Sequence, residues 1–144
     1  MEEETRGGHE KYMQRCIALA KLAKHRGESP VGSIIVYKDQ VIGYGVERSR
    51  AQQDITYHAE IEAIRRAAFI KKTRDLSDCT LYTTHEPCIM CSYAIRYYKI
   101  AKVIYHSKAS YLGGISSVVP LLITNEVPPH WSDAPVIIQL KAGK

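Results

Sequence analysis

No apolar run in this 144-residue chain approaches the roughly 18 residues that a membrane-spanning helix needs. The stretch from Met1 to Glu10 is acidic, then mixed and glycine-containing. It has no apolar segment of the export type, so the expected location is cytoplasmic. Cysteine is scarce: Cys16, Cys79, Cys88 and Cys91 are the four present. Without an export signal they are not expected to pair as disulfides. No internal repeat, low-complexity tract or linker divides the chain. The expectation is a flexible N-terminal tail over residues 1–8 and a single domain over 9–144. Charge is not one-sided either. The net charge is +5, and the basic residues are scattered: Lys21, Lys24 and Arg26; Arg65 and Arg66; Lys71, Lys72 and Arg74; Arg96, Lys99 and Lys102. Most fall on the polar sides of expected helices or in turns, as solvated faces do, rather than along one nucleic-acid track. What is present is ordinary: 45% hydrophobic and 24% charged residues, enough for a real core.

Residues 9–26 alternate with helical period. Tyr12, Met13, Cys16, Ile17, Leu19, Ala20 and Ala23 form an apolar face, and Gly27 follows as a stop. The run VGSIIVYKDQVIGYGV has the form of a β-hairpin broken at Lys38–Asp39–Gln40. Residues 47–56 are polar, with no clear period, and are expected as a loop. Residues 58–69 carry a broad apolar stripe, Ala59, Ile61, Ala63, Ile64, Ala67 and Ala68, and form a helix. CTLYTT is a strand, residues 88–99 a helix, AKVIYH a strand and APVIIQL a last strand. ISSVVPLLI, interrupted by Pro120, is expected as a short or broken helix. Cys16 falls on an apolar helix face and Cys79 opens a strand, so both are expected as small buried hydrophobes. A hairpin followed by strand–helix alternation implies an α/β protein with a mixed sheet and helices on its faces.

Chemistry concentrates at two expected helix starts. Pro87-Cys88-x-x-Cys91 opens one of them; proline costs nothing in a first turn, and the helix dipole favours thiolates there. Two thiolates alone make a redox pair or half a zinc site. His58-x-Glu60 stands upstream at the other helix start. Imidazole and two thiolates are three ligands that zinc accepts readily, leaving one tetrahedral position open, as in a catalytic site. His85 is close enough in sequence to compete as a ligand. A carboxylate at Glu60 beside zinc-activated water can take and return a proton. Taken singly, Glu60 is an acid favoured by a helix dipole and His58 a half-buried histidine. Their coincidence with the second motif points to a site.

H-x-E followed by P-C-x-x-C resembles the signature of the zinc nucleobase deaminases. SPVGSIIVYKDQVIGYG, HAEIEAIRRA, LYTTHEPCIMCSYAI and AKVIY resemble, in order and spacing, the tRNA-adenosine, cytosine and guanine deaminase branch of the cytidine deaminase-like superfamily. The resemblance runs from about His9 to Leu122. It implies a three-layer α/β/α sandwich around a mixed five-stranded sheet, one Zn2+ per chain and a homodimer, with residues 9–144 as the zinc deaminase domain. It assigns zinc ligation to His58, Cys88 and Cys91, and proton shuttling to Glu60. The implied reaction is attack of zinc-held hydroxide on an amino-bearing ring carbon with release of ammonia. The implied grip on the base comes from the backbone around Ala59, Glu86 and Cys88.

The substrate is less sharply indicated. The resemblance places a pocket asparagine where this chain has Glu47. An ionised carboxylate only accepts hydrogen bonds, so a pocket-facing Glu47 calls for donors such as the ring N–H or amino groups of guanine or isocytosine. The alternative is a Glu47 turned outward to Arg48 or Arg50. Tyr111 falls where relatives place an aromatic over the bound base; a core or surface tyrosine is the alternative. Trp131 is expected to pack rather than to close a pocket. Bacterial tRNA adenosine deaminases continue into a basic terminal helix, whereas this chain ends in PVIIQLKAGK, which counts against tRNA. The expectation is therefore deamination of a small nucleobase or nucleoside, guanine-like or cytosine-like, with no membrane partner. The alternative is adenosine-to-inosine conversion in tRNA. A more remote alternative is a non-catalytic zinc-stabilised binding module.

Overall fold

The computed structural model describes residues 2–141, with side chains from Gly7 onward. Met1, within the expected tail, and residues 142–144, within the expected domain, lie outside the described residues. Nine elements follow in order: α1 (Glu2–His25), β1 (Gly32–Tyr37), β2 (Gln40–Val46), α2 (Ser49–Gln52), α3 (Ala59–Lys71), β3 (Thr80–His85), α4 (Ile89–Tyr97), β4 (Lys102–Ser107) and β5 (Val136–Gln139). The strands form one sheet in the order β2-β1-β3-β4-β5. β1 is antiparallel to both β2 and β3, and β3, β4 and β5 run parallel. Among the described residues no helix is long and apolar enough to cross a membrane.

Alternation along the strands builds the three layers. Ile34, Val36, Tyr82 and Ile104 point to one face and meet Tyr12, Met13 and Cys16 of α1. Ile35, Leu81 and Val103 point to the other and meet Ala63, Ile64 and Ala67 of α3 and Ile95 of α4. Cys16 and Cys79 are buried in these cores, and burial pushes both thiols up to about 12, as inert packing groups.

Local signals set most boundaries. α1 ends where Gly27 adopts a left-handed φ of 85°, with the Glu28 N–H on the Ala23 carbonyl. The hairpin turns through Lys38 and Asp39, both at positive φ, which suits the twist of the paired strands. α1 begins at Glu2, earlier than the periodicity indicates; Gly7 and Gly8 break the apolar pattern without breaking the helix. The expected loop over 47–56 contains the single-turn α2.

The expected short helix in ISSVVPLLI is absent, and residues 115–123 form turns. Two causes act together. Pro120 has no N–H to give a helix, and the N–H groups of Ile115 and Ser116 are taken by the distant Glu86 carboxylate.

Topology also decides where a site can form. β2 and β3 both run antiparallel to β1, so their carboxyl ends lie at the same edge of the sheet. From that end the chain runs through α2 to α3 after β2, and directly to α4 after β3.

Candidate active site

Both helix starts place their ligands as caps. His58 is the N-cap of α3, and Cys88 the N-cap of α4, each with extended backbone. Cys91 follows in the first turn of α4 and is fully buried. The donor atoms of His58, Cys88 and Cys91 lie within 4.8 Å of one another. His58 Nδ1 is 3.6 Å from each sulfur. With zinc–nitrogen and zinc–sulfur bonds of ordinary length at a tetrahedral angle, the expected N···S separation is about 3.6 Å. The donor set and its spacing therefore fit zinc. His85 is not in this group; its Nδ1 lies 3.1 Å from Thr84 Oγ1.

Charge in the site is shifted strongly. The hydrogen bond from Cys91, opposed by burial and assisted by His58, lowers the Cys88 thiol to about 4. The hydrogen bond with Cys88 raises His58 to about 9 against its own burial. Cys91 is pushed well up by the neighbouring Cys88 and by burial. Glu60 is 4% exposed, and burial raises its carboxyl to about 7, in the range where a group both takes and returns a proton. Its Oε1 is 3.6 Å from Cys91 Sγ, and its Oε2 accepts from the Thr83 hydroxyl at 3.1 Å.

Glu47 is buried and turned inward, not outward to Arg48 or Arg50. Its Oε2 accepts from Ser49 Oγ at 2.6 Å and its Oε1 from the Ala59 N–H at 3.3 Å. Arg48 instead reaches Glu62 at 3.0 Å. The donors that a buried Glu47 requires thus come from the chain itself. This also engages the Ala59 N–H, one of the groups expected to grip a base, while the Glu86 N–H is held by the Ser107 carbonyl at 2.7 Å.

The Glu86 side chain has a structural task. It accepts from the N–H groups of Ala109, Ile115 and Ser116 and from the Ser116 hydroxyl. Burial works against its charge, but these bonds prevail and its carboxyl is lowered. They pin the loop that crosses the start of α4, where Gly113 bridges Cys88. A Cβ on Gly113 would overlap the Glu86 carboxylate, and one on Gly114 the Ser92 hydroxyl. Tyr111 rides on this loop at 87% exposure, so it covers nothing in this structure. Trp131 packs edge-on to Tyr93, as expected of a packing residue.

Three features escape the sequence reading. Arg96, expected on a polar helix side, is 2% exposed and donates to the carbonyls of Leu121, Thr124 and Ser132. Glu28 is buried and accepts from the N–H groups of Arg50 and Ala51, anchoring α2 beside Glu47. Ser33 and Thr83 face each other across β1 and β3 with oxygens 2.8 Å apart. Hydroxyls within two buried apolar strands were the available signal for this last pair.

Comparison with known proteins agrees with the geometry. Residues 7–107 match the family model of the cytidine and deoxycytidylate deaminase zinc-binding region. The chain is 42% identical over 100 residues to the tRNA-specific adenosine deaminase of Buchnera aphidicola subsp. Baizongia pistaciae, covering 69% of this chain and 62% of that one. It therefore spans less than two thirds of that relative's length. A solved chain from a study of A-to-I editing by tRNA:A34 deaminases at the wobble position of transfer RNA superposes with a TM-score of 0.80. That chain is 31% identical, with 90% of this chain and 96% of it covered. The guanine deaminase of Bacillus subtilis superposes with a TM-score of 0.67 at 36% identity, over 69% and 64% of the two chains. With its zinc-spaced donors at two helix starts and its matched motifs, the chain belongs to the cytidine and deoxycytidylate deaminase zinc-binding family, within the cytidine deaminase-like superfamily of zinc-dependent deaminases.

Proposed function

We propose that the chain is a hydrolytic deaminase that converts adenosine to inosine within tRNA. The observation that carries this reading is the likeness to the A34-editing chain, with a TM-score of 0.80 over 90% of this chain and 96% of that one, against 0.67 over 69% and 64% for the Bacillus subtilis guanine deaminase. The Glu47 argument for a guanine-like substrate is also weaker, because Ser49 and the Ala59 N–H already give each of its oxygens one donor.

In this reading His58, Cys88 and Cys91 would hold zinc. Bound zinc supplies Lewis-acid activation of water at neutral pH. Glu60 would take one proton from the attacking water and pass it to the ring nitrogen, and would then pass the second proton, from the hydroxyl so formed at C6, to the departing amino group. Water adds at C6 of the adenine, the exocyclic C–N bond breaks, and ammonia leaves. Burial of Glu60 excludes bulk water from the transfer and keeps its carboxyl near 7. The cytoplasmic homodimer expected from the sequence belongs to the same reading.

A free base or nucleoside of the guanine or cytosine type is the second reading. Its support is Glu47 itself, a buried carboxylate beside the zinc-binding helix start with accepting capacity left over. A non-catalytic zinc module fits less well, because Glu60 is a costly buried acid with no structural need to lie beside the metal ligands.

Ammonia release by zinc-loaded protein separates these readings. The panel is an adenosine-containing anticodon stem-loop, guanine, isocytosine, cytosine, adenine and their nucleosides. Turnover of the stem-loop with inert free bases and nucleosides is expected. Turnover of a free base or nucleoside with an inert stem-loop would overturn the tRNA reading.

A further inference from the structure

We propose that Thr83 is a positioning residue that fixes the orientation of the Glu60 carboxylate, with Ser33 behind it completing a buried hydroxyl chain. The proposal rests on the deaminase reading of Glu60. Its geometry is linear: Ser33 Oγ donates to Thr83 Oγ1 at 2.8 Å, and Thr83 Oγ1 donates to Glu60 Oε2 at 3.1 Å. Ser33 and Thr83 are 0% exposed and Glu60 4%. Ser33 and Thr83 are direct partners in the antiparallel pairing of β1 and β3, two interior strands of the sheet.

A carboxylate turns easily about its last carbon–carbon bond. A donor on one oxygen fixes that rotation and so decides where the other oxygen points. Here the held oxygen is Oε2. The other, Oε1, faces Cys91 Sγ at 3.6 Å, on the side of the metal ligands. The support is rigid, because the donor stands on a central strand and not on a loop. Valine has nearly the shape of threonine, so packing alone does not call for a hydroxyl at the buried Thr83. The Ser33 and Thr83 hydroxyls are extra buried polar groups, and Glu60 is the acceptor that the chain ends on.

Thr83→Val keeps the shape and removes the donor. The Thr83 hydroxyl is bonded to Glu60, so its loss acts through Glu60. The expected result is a fall in kcat of about 10- to 100-fold with KM nearly unchanged, zinc content full, and recovery of most activity in Thr83→Ser. Thr83→Val also strands the Ser33 hydroxyl, so Ser33→Ala/Thr83→Val is measured alongside to remove that burden on folding. A crystal structure of zinc-loaded Thr83→Val supplies a readout independent of turnover: Glu60 Oε1 is expected to leave its place near Cys91 Sγ. An unchanged Glu60 side chain in that structure, wild-type kcat in the folded double variant, or failure of Thr83→Ser to restore activity would each overturn the proposal. If the wild-type protein deaminated no member of the panel, the deaminase reading would fail, while the position of Glu60 in the variant would still decide the role of Thr83.

Discussion

Gly45 sets the distance between β2 and the helix start that carries His58. A Cβ built there would overlap the Ala59 carbonyl oxygen, and would lie 2.8 Å from the Ala59 carbonyl carbon and 2.9 Å from Glu62 Cβ. These separations are about 0.6 to 1.2 Å short of carbon–carbon contact. The obstructing atoms are mainly backbone, so no side-chain rotation relieves them. In Gly45→Ala either β2 or the first turn of α3 must move. Overpacking of this kind costs about 1–3 kcal/mol. For a chain of this size that corresponds to a melting temperature roughly 3–10 °C lower. The same displacement moves His58 away from Cys88 and Cys91, and zinc affinity is expected to fall roughly 10- to 100-fold. Gly43→Ala is the control. Its Cβ would meet the Ala63 carbonyl oxygen and Ala67, one turn further along α3 and away from the ligands. Thermal melts with zinc titration against a competing chelator measure both effects. Gly43→Ala should lose stability and keep most of its zinc affinity. Wild-type stability and zinc affinity in Gly45→Ala, or equal zinc loss in both variants, would refute the claim that this close approach places the zinc ligand.

Three further outcomes follow from the structure. Glu60→Gln should retain zinc and the fold but lose turnover by about 100-fold or more, because the ligands remain while the proton acceptor goes; metal analysis beside a rate assay checks this. Arg96→Leu should destabilise by about 1–3 kcal/mol, read by denaturant unfolding, because it leaves buried carbonyls of the 121–132 segment without donors. Arg96→Lys should recover only part of this loss, since an ammonium cannot reproduce the planar fork. His9 lies buried against Tyr82, and burial, with Lys102 adding to it, lowers its pKa below 6.5. The unfolded chain then binds that proton more readily than the folded one. Stability is therefore expected to fall as pH drops below about 6.5, and less so in His9→Gln, in zinc-saturated melts.

Much of the site is legible in the sequence because its parts are local. His58 and Cys88 are helix N-caps, and Cys91 is one turn on from Cys88. Spacing alone thus brings the ligands to helix starts, and the common edge of β2 and β3 does the rest. Gly27 and the Lys38–Asp39 turn mark boundaries for equally local reasons. What escaped depends on partners distant in the chain. Thr83 meets Ser33 only through strand register. Arg96 belongs inside only because residues 121–132 fold over it. Residues 115–123 lose their expected helix to a carboxylate some thirty positions away, at Glu86. Glu47 shows the limit of an argument from one residue: it was weighed against a ligand, and its donors at Ser49 and Ala59 lie within the chain.

The most direct test of the functional account is the fate of one adenosine. An adenosine-containing anticodon stem-loop is incubated with zinc-loaded protein, with chelator-stripped protein, and with stripped protein after zinc is restored. Nuclease digestion and mass spectrometry then score inosine. Inosine with the loaded and restored protein, and none with the stripped one, is the predicted result. A stem-loop left unchanged by fully zinc-loaded, folded protein would contradict the account.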